Sequence, residues 1–132
     1  MKQRMTIDVM RSQLGRARGS GSAHAGVHHW YAERLTAIAL VPLSLWFIVS
    51  MLRLLGATQP AVKAWAGHPI NAALLLALIA MTFHHLQLGV QVVLEDYVNA
   101  KWLMNILILC TKGLALILGL TAAVSVLKLA LL

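Results

Sequence analysis

Three stretches of the chain are apolar on every side, over about residues 35–55, 70–94 and 103–129. A helix with one buried face shows an apolar stripe, whereas an unbroken run of about 20 apolar residues is long enough to cross a bilayer. The pattern predicts an all-α membrane protein with three transmembrane helices. Pro42 falls inside the first run, which a membrane helix tolerates when neighbours satisfy the freed carbonyl. Pro69 suits the first turn of the second helix. The joins are polar: 56–67, with Gln59, Pro60 and Lys63, reads as a short outside loop with Trp65 as its interfacial anchor. The shorter join, 95–102, makes the second and third spans antiparallel neighbours.

Composition removes the main competitor. The chain is 60% hydrophobic and 11% charged, too little polar surface for a soluble bundle. Its formal charge of +7 is unevenly placed, with Lys2, Arg4, Arg11, Arg16, Arg18 and Arg34 before or at the opening of the first span. A nucleic-acid arm would interleave aromatics with these cations, and none occurs before Trp30. Positive-inside bias accounts for them and puts the N-terminus in the cytoplasm, leaving the C-terminus outside. Residues 1–23, with Gly19-Ser20-Gly21-Ser22, read as a flexible basic arm ahead of a membrane unit at 24–132. The arm lacks the short apolar region and cleavage site of a secretory signal. It is Arg-rich and acid-poor like a transit peptide, but a bacterial cytoplasmic arm is the preferred reading over a mitochondrial one. Cys110 is the one cysteine, so no disulfide forms within the chain.

Against this background, the stretch from Met81 to Tyr97 is unusual. It carries His84, His85, Gln87 and Gln91 to membrane depth and ends on Glu95-Asp96-Tyr97. Such groups in a span are costly and by default mark function. A residue turns the helix about 100° and advances it about 1.5 Å, so Asp96 returns to within roughly 20° of the His85 face, about 16 Å further along. Gly89, one turn after His85, leaves a notch on that face. An imidazole beside a notch suits a flat cofactor: one ring nitrogen binds iron while the other donates to a fixed acceptor. A histidine hydrogen-bonded to a neighbouring helix is the competing reading. His84 points about 100° away, towards Gln87 and Gln91, on what reads as a polar seam between helices. Lys112 in the third span either snorkels or meets a partner charge.

With three spans and a cytoplasmic N-terminus, the acid and phenol at the end of the second span fall level with His24, His28, His29, Trp30, Tyr31 and Arg34. Arg34 and His28 there suit propionates at a haem edge, or simply the basic interface. Tyr97 suits a hydrogen bond to a quinone carbonyl with Asp96 orienting it or relaying protons, or an ordinary aromatic belt.

His85, then Gly89, then Val92-Val93-Leu94-Glu95-Asp96-Tyr97-Val98 resembles the second-helix signature of the small hydrophobic membrane-anchor subunit of succinate dehydrogenase. Val27-His28 followed by Arg34, Thr36, Ala37 and Ile38 is similar to the segment entering that subunit's first helix. The resemblance covers most of 24–132. It implies a four-subunit respiratory complex linking the tricarboxylic acid cycle to electron transport, which with the preferred reading of the arm sits in the bacterial inner membrane and otherwise in the mitochondrial one. A flavoprotein subunit oxidises succinate, an iron–sulfur subunit carries electrons, and two three-helix anchors hold haem b between them and shape the ubiquinone site. By the same resemblance His85 is one axial ligand, the second cytochrome b anchor supplies the other, His28 and Arg34 lie near the propionates, and Tyr97 with Asp96 meets the quinone. The subunit then does no covalent chemistry itself. A fumarate reductase anchor and a cofactor-free scaffold or assembly protein are the alternatives.

Overall fold

The computed structural model describes residue 12 and residues 24–131. The basic arm expected at 1–23 therefore lies, Ser12 apart, outside the described residues. The described chain forms four helices: α1 His24–Arg53, α2 Gln59–Gly67, α3 Pro69–Tyr97 and α4 Lys101–Leu131, with no strand among them. Helices α1, α3 and α4 are long and apolar enough to cross a membrane. At 30, 29 and 31 residues they measure about 44–47 Å, against about 30 Å of hydrocarbon, so their ends project into the interfaces.

Helix α1 begins well before residue 35, where the apolar run starts. Nothing in 24–34 breaks a helix, so the interfacial residues continue it, and Trp30 meets Tyr31 edge-on at 5.4 Å. The chain stays helical through Pro42 and ends with Arg53 in its last turn. Gly56 then takes a left-handed conformation, φ 77°, which only glycine adopts freely.

The join expected as a loop at 56–67 contains a helix. Pro60 sits in the first turn of α2, behind Thr58 in an extended conformation. Val62, Trp65 and Ala66 share one face, and Ala66 is fully buried. Trp65 stacks on Trp46 of α1 at 5.9 Å and 20°, so it packs within the protein as well as marking an interface. Gly67 passes so close to α4 that a Cβ there would stand 3.0 Å from the Ala130 carbonyl oxygen. His68 lies between two helices and belongs to neither. Pro69 behind it disfavours the helical region for the preceding residue, and His68 is extended at φ −65°, ψ 126°.

Helix α3 lies in the middle, packed against both α1 and α4, whose backbones do not meet. Helices α3 and α4 are joined by three residues, so they run antiparallel as expected. The interior is thin: among the described residues only Ala66, Leu75 and Leu88 are buried apolar side chains, and Thr36 and Ser50 buried polar ones. Water exclusion does not hold such helices together in lipid; close packing at small residues and a few polar contacts do. Gly119 supplies one such approach, with the Phe83 ring 3.4 Å from where a Cβ would be.

Candidate functional site

The two adjacent histidines of α3 face different neighbours, as their 100° separation requires. His85 is half-buried on the α1 side, where its Nδ1 lies 2.9 Å from Thr36 Oγ1. Thr36 is only 4% exposed, and its hydroxyl also lies 2.8 Å from the Ala32 carbonyl oxygen and 3.0 Å from that of Glu33. Thr36 and His85 each stand twelve residues from the helix ends at this side of the layer, about 18 Å along the axis. His85 Nε2 has no hydrogen bond among the described residues. One turn on, a Cβ placed on Gly89 would meet nothing within 4 Å.

A flat prosthetic group bound through a histidine asks for these features. It needs one ring nitrogen fixed, the other free, and open space on the same side of the helix. The residues present fit it.

His84 is exposed and lines a cavity of about 560 Å³ between α3 and α4. Gln87 and Lys112 share its polar end, while Phe83, Leu116 and Gly119 line its apolar length. Lys112 makes no ion pair with any described residue. From this seam a ladder of side chains climbs α3: Gln87 donates to Gln91 at 3.2 Å and Gln91 donates to Glu95 at 2.8 Å. Of the seam expected from His84, Gln87 and Gln91, His84 and Gln87 share the cavity against α4, while Gln91 lies on the α1 side and is tied to Gln87 by its hydrogen bond.

The expected convergence of the α1 entry with the α3 end is also present, through His29, Trp30 and Glu95 among the residues named for it and not through His28, Arg34, Asp96 and Tyr97. A hollow of about 490 Å³ is lined by Gly26, His29, Trp30 and Glu33 of α1 and Gln91, Val92 and Glu95 of α3. His29 Nε2 is buried there without a hydrogen-bond partner. His28, Arg34, Asp96 and Tyr97 lie outside this hollow. His28 and Asp96 are exposed, Tyr97 is 81% exposed, and the Arg34 guanidinium sits 5.2 Å over the Trp30 ring. None of these four residues lines either of the two cavities. Sequence reasoning named His29 and Glu95 in the two converging segments and Thr36 only within the motif entering the first helix, and missed Glu33 and the contact of Thr36 with His85. For Thr36 a signal existed, a hydroxyl in the apolar run that also holds Ser44 and Ser50. Among the described residues no His, Cys, Asp and Glu group has metal-binding geometry, and Cys110 is free and exposed.

Residues 8–127 match the family described as succinate dehydrogenase/fumarate reductase transmembrane subunit. The chain is 38% identical over 108 residues to the succinate dehydrogenase hydrophobic membrane anchor subunit of Rickettsia bellii, covering 82% of this chain and 86% of that one. The corresponding subunit of Rickettsia conorii is 33% identical over 103 residues, 77% of this chain and 82% of its own. That of Paracoccus denitrificans is 31% identical over 81 residues, 61% of this chain and 63% of its own. No solved structure matches the chain. With bacterial relatives and three membrane-length helices, it is a multi-pass protein of the bacterial inner membrane. Helix plan, motif and relatives agree, and the chain belongs to the succinate dehydrogenase/fumarate reductase transmembrane subunit family as a membrane anchor.

Proposed function

We propose that this chain is the small anchor of a succinate:ubiquinone oxidoreductase and that His85 is an axial ligand of haem b. The observation that carries the reading is the state of His85, with Nδ1 held by Thr36 at 2.9 Å, Nε2 free, and open space at Gly89 one turn away. A bound haem supplies a reversible one-electron store. The chain's part is to fix the imidazole and keep that side of α3 clear. The second ligand comes from the larger anchor, since no other described histidine lies on the His85 side at its depth. Its helices also cover apolar surface that α1 and α4 leave bare, such as Ile38 at 69% and Leu109 at 71% exposed.

Arg34 and His28, exposed at the cytoplasmic end of α1, offer charge-assisted hydrogen bonds to propionates. Tyr97 donates its phenolic hydrogen to a quinone carbonyl oxygen, where negative charge accumulates as the ring is reduced, and Asp96 beside it orients the phenol or passes a proton inward. Its outward exposure suits a pocket whose other walls belong to partners. Reduction of the quinone takes two electrons and two protons. The electrons originate in succinate oxidation on the flavoprotein subunit and arrive through the iron–sulfur subunit, so this chain positions an acceptor and catalyses no covalent step on succinate. The N-terminus faces the cytoplasm, where those subunits dock.

The test is an optical difference spectrum of the whole complex purified in mild detergent. Reduced b-type bands are expected. A complex coloured only by flavin and iron–sulfur clusters overturns the haem reading and leaves a cofactor-free anchor.

A further inference from the structure

The group that holds His85 is itself held. Thr36 Oγ1 has three polar neighbours: the carbonyl oxygens of Ala32 at 2.8 Å and Glu33 at 3.0 Å, and His85 Nδ1 at 2.9 Å. A hydroxyl owns one proton and two lone pairs, and a carbonyl oxygen can only accept. At 2.8 Å the proton must lie on the carbonyl side, since otherwise two lone-pair-bearing oxygens would confront each other inside hydrogen-bond distance. Back-bonding of a threonine to the preceding turn is the usual helical arrangement. What Thr36 turns towards α3 is therefore a lone pair, and the Nδ1 facing it is the nitrogen that carries the hydrogen. In the neutral ring this leaves Nε2 bare.

We propose that Thr36 is the positioning residue of the haem-ligating histidine: its backbone-locked hydroxyl fixes His85 as the Nδ1–H tautomer, with Nε2 free for iron. The proposal rests on the assignment of His85 as axial ligand and adds the residue through which α1 controls it. Two consequences follow, one from burial and one from the bond itself. At 4% exposure Thr36 is not replaced by solvent, so loss of its oxygen leaves the Nδ1–H without an acceptor in an enclosed place. The bond also draws hydrogen towards Thr36 and makes Nε2 the stronger donor, which favours oxidised over reduced iron.

Three complexes are compared, wild type, Thr36→Val and Thr36→Ser, by haem content and by optical redox titration. Thr36→Val keeps the shape and removes the acceptor. It is expected to weaken haem retention about tenfold, the lower end of the range for outer-shell partners, and to raise the haem midpoint potential. Thr36→Ser restores both. A Thr36→Val complex with unchanged potential and haem content, or a serine variant that fails to restore them, overturns the positioning role. A wild-type complex without haem, or a His85→Ala complex that keeps it, defeats the ligand assignment instead. Should the valine variant not assemble, nitrogen-15 spectra of histidine-labelled wild-type complex from a haem-deficient host decide. The Nδ1–H form at His85 supports the proposal, and the Nε2–H form overturns it.

Discussion

The α1 face and the α4 face of α3 meet the same problem, a histidine at membrane depth, and resolve it differently. On the α1 face the imidazole has one close partner, an enclosed hydroxyl, and little freedom to turn. On the α4 face His84 opens into a hollow with an amide and an ammonium nearby, and it makes no hydrogen bond to any described residue. The contrast shows that a polar residue in a span is not informative by its type alone. One nitrogen fixed and one free is a ligand's situation, whereas an untethered ring beside a cavity suits a seam that water or lipid can enter.

The sharpest break of this comparison is to delete each ring. His85→Ala is expected to lower haem content of the purified complex by more than about tenfold, since loss of outer-shell partners alone costs that much. Retained bands would hand the role to its neighbour. Next in size is Tyr97→Phe, at the exposed end of the helix where the two faces run out. Quinone reduction should fall about tenfold, roughly the value of one hydrogen bond to an accumulating charge, while succinate oxidation with an artificial acceptor is unchanged. Equal loss of both activities points to assembly. On the α4 face, Gly119→Leu pushes a side chain into the Phe83 ring, 3.4 Å from the Cβ position. Overpacking of this kind costs about 1–3 kcal/mol, to be read as a lower melting temperature of the complex with haem band positions unmoved. The smallest effect is expected for His84→Ala, with haem content within about twofold of wild type, because outer-shell losses of the kind seen at ligand sites do not apply. A large loss there would erase the distinction between the faces.

Much of this was legible in the residues. The three spans were visible because their runs are apolar all round, and the divergence of His84 from His85 follows from a helical turn. Their ends were less so, because hydropathy locates hydrocarbon and not helix: 24–34 is too polar to be lipid-buried, yet nothing in it stops the backbone. Helix α2 was missed behind Gln59, Pro60 and Lys63, although Pro60 in a first turn and Val62, Trp65 and Ala66 at i, i+3 and i+4 were available as signals. The pairing of Thr36 with His85 was out of reach for another reason. It joins residues far apart in sequence, and only the packing register of α1 on α3 brings them together. The same register turns Glu33, Gln91 and Glu95 towards one hollow and leaves Asp96 and Tyr97 facing outward.

The close approach of Gly67 to Ala130 has a bearing on biogenesis. Helix α2 leaves the ribosome long before the stretch it rests against has been translated, so its docking waits on the insertion of α4. Until then α2 is held by Trp65 stacked on Trp46 of α1 and by the Asn71 amide of α3, which donates to the Trp65 carbonyl at 2.8 Å, and the first hairpin enters the bilayer without its contact to α4. The latch between α2 and α4 thus makes completion of the third span the event that locks the nascent protein.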